Sequence, residues 1–191
     1  MIDSGSREGT ALTDCVLMTS RDGFHFNRTD KAFMTPGLEN ENNWIYGDCY
    51  VSHGICETIA DECDDKTELS FVTGNGYRHE STKFIRYTVR LDGFFSWHGN
   101  FRGGTVMTVP VTFDGTAMSV NFATSALGSL RIRICDEYGT PIEGYDSGVM
   151  FGDSMDRKVD FEKPLSHISG KNVRINFDLK DCDLYSFIFK E

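Results

Sequence analysis

Three short stretches hold the residue types that grip small polar ligands. "YGDCYVSHGI" (residues 46–55) brings Asp48 and His53, a carboxylate and an imidazole. "TGNGYRHE" (73–80) adds the Asn75 amide, the Tyr77 phenol and the Arg78 guanidinium. "FFSWHGN" (94–100) carries Trp97, whose indole can stack on the apolar face of a sugar ring. If the first stretch is a strand, alternation puts Asp48, Tyr50 and Ser52 on one face and Cys49, Val51 and His53 on the other. Asp48 and His53 then share a surface only across a bulge. Each residue also has a plainer reading. A lone His beside a Gly more often makes a structural hydrogen bond, a Tyr in a Gly-rich turn packs on the next strand, and a Trp on an alternating strand belongs more often to the core.

Other chemistries lack their patterns. The G-x-G of Gly74 and Gly76 has no G-x-x-G continuation and no helix after it, so it is no nucleotide fingerprint. Ser125, Ser129 and Ser154 lack a G-x-S-x-G elbow, and the five His residues hold no triad spacing. Cys49, Cys56 and Cys63 recur every seven residues without the short knuckle of a zinc site. The acidic run "DECDDKTE" (61–68) lacks the order of a calcium loop and reads as a solvated hairpin loop. No metal and no cofactor is expected.

The chain has 191 residues, 39% hydrophobic and 13% aromatic, enough for a core. Its net charge is −10, and both halves are acidic. No basic stripe tracks a phosphate backbone or an anionic bilayer, so neither nucleic acid nor membrane is an expected partner. No apolar run approaches the ~20 residues of a membrane span. The start "MIDSGSREGT" has neither a basic nor an apolar segment of a signal peptide, and six cysteines in so long a chain read as free thiols. Both point to the cytoplasm.

The elements that must position the candidates are strands. Apolar alternation marks 15–20, 24–27, 49–55, 68–73 and 83–91, then 94–99, 105–113, 117–124, 129–136, 157–161, 173–179 and 184–190. Gly, Asp and Asn turns separate them. "PLSHIS" (164–169) makes at most one helical turn, with Pro164 suited to its first position. The fold class is all-β. A boundary near residues 88–93 separates loosely spaced strands (1–88) from an antiparallel, jelly-roll-like β-sandwich (89–191).

One hairpin pattern remains, "TSRDGFHFNR" (19–28). Asp22 before Gly23 accepts backbone N–H bonds in a tight turn, and that explains it without catalysis. The stretch also resembles the Ser-x-Asp-Gly-x-x-Trp/Phe-x-Arg hairpin in blades of the five-bladed propeller glycosidases, the invertase/levanase and arabinanase/xylosidase clan. "TPGLENENNW", "ELSFVTGNGYRHESTKFIRYTVRLDGFFS", "GTVMTVPVTFDG", "AMSVNFATSALGSLRIRICDEYGTPIEGY", "FGDSMDRKVDF" and "DLYSFIF" follow in an order similar to that of bacterial glycosyl-hydrolase-like proteins, in which a propeller precedes a β-sandwich. Each motif is short, and their joint order over residues 15–190 carries the resemblance.

The resemblance implies that residues 1–88 are the last propeller blade and 89–191 the sandwich of a longer protein. It places Asp48 and His53 on an inner strand beside the central channel, while Asn75, Tyr77, Arg78 and Trp97 are candidate sugar contacts on their own side-chain chemistry. Glycoside hydrolysis needs two carboxylates facing one sugar. The clan's three carboxylate contexts are missing. Arg21-Asp22-Gly23 only imitates Arg-Asp-Pro, and Cys56-Glu57 reverses the Glu-Cys of invertases. No catalytic residue is therefore expected, and the chain alone should be inactive. The first expectation is an accessory part of a glycoside-hydrolase-like protein. Its rivals are a stand-alone carbohydrate-binding sandwich using Trp97 or Tyr138, and a structural interaction domain. An exposed aromatic row favours the binding module, a buried Trp97 the others. A blade without neighbours would leave an open strand edge and an apolar face, so self-association through residues 1–88, or disorder of part of them, is also expected.

Overall fold

The structure is a computed structural model that describes residues 12–40, 43–44, 47–61, 63–76, 80 and 82–191. The backbone divides into two compact units, Met1–Val89 and Arg90–Glu191. The fold is all-β and antiparallel.

In the first unit, β1 (Met18–Ser20) and β2 (Phe26–Arg28) form a hairpin, with Ser20 opposite Phe26. Asp22 closes its turn. The carboxylate Oδ1 accepts the backbone N–H of Phe24 at 2.9 Å and of His25 at 2.8 Å, while Gly23 takes a φ of 78°. The His25 Nδ1–H donates to Oδ2 at 2.6 Å, and the Ser20 hydroxyl donates to Oδ1 at 3.0 Å. Asp22 is the turn residue that its sequence pattern predicts.

These donors, the His25 amide first, hold the Asp22 carboxyl well below the usual carboxylate range. A lowered pKa means that the folded chain binds fewer protons than the unfolded one. The turn's contribution is then complete above the unfolded value of ~3.9 and is lost as pH falls through the lowered folded value. In Asp22→Ala, the Phe24 and His25 amide resonances should move to random-coil positions at neutral pH. Wild type should reach those positions only in strong acid. Unmoved resonances in the variant would show that the turn stands without the carboxylate.

A four-stranded sheet follows. Its central strand is β5, and β3 (Tyr50–Val51), β4 (Cys56–Ala60), β5 (Cys63–Asn75) and β6 (Lys83–Arg90) are its members. The predicted strand 49–55 shrinks to Tyr50–Val51. Val51 faces Thr73 and Cys56 faces Ser70, so residues 52–55 bulge opposite only Phe71 and Val72. The acidic run differs from its reading as a loop. Ala60 stands opposite Cys63, so β5 begins within the run. Ladder bonds to β4 hold it there, and Arg86 of β6 offsets its charge, donating to Asp61 at 2.8 Å and Glu68 at 3.1 Å. Phe71 is buried between Phe33 and Tyr87, each with its ring centre 5.9 Å away.

The second unit holds β7 (Trp97–Gly99), β8 (Gly104–Met107), β9 (Ala117–Asp136), β10 (Pro141–Met150), β11 (Asp153–Val159) and β12 (Val173–Lys190). A single 3-10 turn, Leu165–His167, follows Pro164, which sits one position before the helical residues. The long strands β9 and β12 pair from Val173–Asp136 to Lys190–Ala117. On their flanks, β10 and β8 cover one half of this ribbon, and β11 and β7 the other. Hydrogen bonds thus join six strands in one sheet where sequence spacing suggested two. The reason is length, because the segments 117–124 and 129–136, read as separate strands, are one, as are 173–179 and 184–190.

The ribbon bends where residues 125–128 stand opposite Asp181 alone, which takes a φ of 44°. Bending brings the two halves together over one core. Met118, Val120, Phe122, Leu130, Ile132, Ile134, Ile175 and Phe177 are all within 1% of full burial. The Phe177 ring of one half lies 5.2 Å from Phe187 of the other, and Phe113 stacks on Phe189 at 3.8 Å.

Candidate functional site

Asp48 does not lie on a strand. It sits in a turn before β3, where Cys49 takes a φ of 59°, so the alternation argued from sequence does not apply to it. Its side chain is 0% exposed, and Oδ1 accepts the Gly76 N–H at 3.2 Å. Its backbone carbonyl accepts the Thr13 hydroxyl. Asp48 therefore braces the backbone at Gly76. Burial, then the Asp48 charge, pushes the neighbouring Cys49 thiol up to about 11.

Asn75 is half-buried and accepts the Thr73 hydroxyl at 3.3 Å. Together with Tyr50, Ser52, Thr82 and Phe84 it lines an open groove of about 290 Å³. His53 is exposed on the 52–55 bulge and lines a different groove of about 320 Å³, with Ile55, Phe71 and Arg86. Asp48 and His53 are thus not brought together. Tyr77 and Arg78 lie outside the described residues.

Trp97 is 65% exposed, although it pairs with the buried Leu184. Directly opposed residues share a sheet face, so Trp97 extends the core-facing row Phe122–Leu184 to the sheet edge. Among the described residues no strand pairs with β7 on its outer side, and the indole stays open to solvent. Phe95, two residues earlier, is also exposed. On the other face the Ser96 hydroxyl donates to Asp183 Oδ1 at 2.7 Å, and His98 Nδ1 lies 3.1 Å from the same oxygen. A nucleophilic triad puts the imidazole between the hydroxyl and the carboxylate. Here the carboxylate is in the middle, so the trio braces β7. No sequence signal announced it, because Asp183 is 85 residues from His98.

Cys15, Cys49, Cys56, Cys135 and Cys182 are free thiols. Burial pushes Cys182 up to about 12, which leaves it inert as a nucleophile near neutral pH. Among the described residues no cluster of His, Cys, Asp and Glu could hold a metal ion, and no helix is long and apolar enough to cross a membrane.

Fold and geometry together define an all-β chain with an exposed indole on a sheet edge and a buried carboxylate that holds the Gly76 amide. Compared with known protein families, curated proteins and solved structures, the chain gives no match.

Proposed function

We propose that this chain binds carbohydrate without cleaving it, through Trp97 in the Arg90–Glu191 unit. The exposure of Trp97 carries the reading, because a buried Trp97 would have favoured a bracing or structural domain. Sugar rings present apolar C–H faces, and an indole on a rigid strand stacks on them with little loss of side-chain freedom. On the strand that β7 pairs with, the Asp183 carboxylate is already engaged with Ser96 and His98. The accessory role beside a propeller glycosidase remains the wider setting that the sequence resemblance suggests. Self-association through residues 1–88 belongs to that setting, and the exposed Phe24, Phe26, Ile59 and Phe84 support it.

Affinity electrophoresis in gels of levan, arabinan and xylan tests the reading. The chain should be retarded by at least one polymer and release no reducing sugar from it. Trp97→Ala should weaken retardation by at least about tenfold, as removal of a central Trp does in binding sites. Its melting temperature should stay unchanged because the side chain is exposed. Unaltered retardation in the variant would sink the role of Trp97, and released sugar would sink the non-catalytic part.

A further inference from the structure

Side chains cross the outer face of the half-sheet β10–β9–β12–β8 in register, most of them polar. Val149, Arg131, Asp178 and Thr105 stand opposite one another, with Ser129 opposite Lys180 alongside. This face points away from the core, because Leu130, Ile132, Phe177 and Leu179 alternate with these residues and are buried. The turn leading into β8 rises beside the face. It is fixed by the Gly103 N–H to the Asn100 carbonyl and the Arg102 N–H to Asn100 Oδ1, both at 2.9 Å. Between turn and sheet lies an open groove of about 470 Å³, lined by Arg102, Thr105, Ser129, Arg131, Asp178 and Lys180.

The groove has the opposite sign to the chain. Three cations and one carboxylate line it, in a protein of net charge −10. The carboxylate is engaged, because Asp178 accepts from Arg133 and from the Thr105 hydroxyl at 3.0 Å. Arg131 is engaged too, with its fork on Asp146 at 2.9 and 2.6 Å. Arg102 and Lys180 have no carboxylate partner among the described residues. The Lys180 ammonium lies 5.6 Å over the ring of Phe101, which is 73% exposed. Two cations without a carboxylate partner and two hydroxyl-bearing side chains thus line one concave surface, with the open Phe101 ring beside Lys180.

We propose that this groove takes the carboxylate of an acidic saccharide, a uronate unit. Arg102 and Lys180 receive the carboxylate, Thr105 and Ser129 the ring hydroxyls, and Phe101 the apolar face of the sugar. The inference rests on the carbohydrate reading above and adds the class of sugar. A bare anion would need only the two cations. The hydroxyls and the exposed ring fit a ligand that carries its charge on a partly apolar ring. A nucleic acid would need a basic stripe longer than this pair.

Isothermal titration of the full chain tests it, with oligogalacturonate, its methyl ester, hyaluronan oligomers and sodium sulfate as probes. One of the acidic oligomers should bind, and more weakly as salt rises. The methyl ester, which keeps the sugar and removes the charge, should bind about tenfold more weakly than the acid or worse. Arg102→Ala and Lys180→Ala should each cost about tenfold, and Arg102→Lys and Lys180→Arg should keep most of the affinity. Equal binding of acid and ester would overturn this inference and leave the Trp97 reading standing. Sulfate binding as tight as the oligomer's would overturn it as a bare anion site, and silence from every acidic oligomer would overturn it outright. Acidic binding that survives Trp97→Ala, with no retention in neutral gels, would keep the groove and remove the Trp97 reading.

Discussion

Phe177→Ala should destabilise the Arg90–Glu191 unit by about 3–5 kcal/mol, the usual loss for a buried Phe cut back to Ala. A domain of this size is stable by about 5–15 kcal/mol, so one substitution removes a large share. The position decides the size of the effect. Phe177 is 1% exposed, stands opposite Ile132 on β9, and meets Phe187 from the other half of the ribbon at 5.2 Å. Its removal takes away the transfer free energy of the ring and leaves a cavity between the two halves. Phe151→Ala, at an exposed site, should change stability by no more than about 0.5 kcal/mol. Urea unfolding followed by near-ultraviolet dichroism measures both. Equal midpoints for the two variants would mean that the halves do not depend on this contact.

The same ribbon shows what the sequence discloses and what it conceals. The core-facing row is legible, because Met118, Val120, Phe122, Ile132, Ile134, Ile175 and Phe177 recur at every second position, although Ser119, Asn121, Cys135 and Asn176 between them are buried as well. Continuity is not legible. A turn-like segment such as 125–128 reads as a break, yet here it is a bulge inside one strand, held by pairing to β12. β10 escapes the pattern altogether. Gly144, Asp146 and Gly148 are poor strand residues, and only its ladder to β9, with two register shifts, makes it one. The candidate site divides in the same way. Asp22 is legible because its partners lie within three residues. Asp48 is not, because the amide that it braces is 28 residues away and a positive φ at Cys49 breaks the alternation used to place it. Trp97 alternates as a core residue should, and only its place on an edge strand leaves it exposed. The groove of Arg102 and Lys180 is assembled from β8, β9 and β12, which are far apart in the chain.

Gly128→Ala should cost at least about 1–3 kcal/mol, the range for overpacking, and more if the bend cannot relax. An added Cβ would lie 2.3 Å from the Asp181 carbonyl oxygen, 2.9 Å from that of Lys180 and 3.0 Å from the Ser125 nitrogen. All three are backbone atoms, so no side chain can swing aside. The strain arises from close approach rather than from φ, which favours glycine at other positions of this chain. Gly99 makes the matching contact on the edge strand, where a Cβ would come within 2.4 Å of Leu179 Cβ. The two glycines press on β12 at Leu179 and at Lys180–Asp181, where the ribbon turns from one half to the other. If the bend is what closes the halves over their core, both alanine variants should lose stability together. Gly104→Ala, with nothing within 4 Å, should stay within about 0.5 kcal/mol of wild type. Thermal unfolding of the three variants measures this, and a wild-type melting temperature for Gly128→Ala would show that the bend gives way freely. The same variants bear on function. The outer groove draws Arg102 from the turn after β7 and Lys180 from the bend itself, so Gly128→Ala should also weaken binding of the acidic saccharide at temperatures where the unit remains folded.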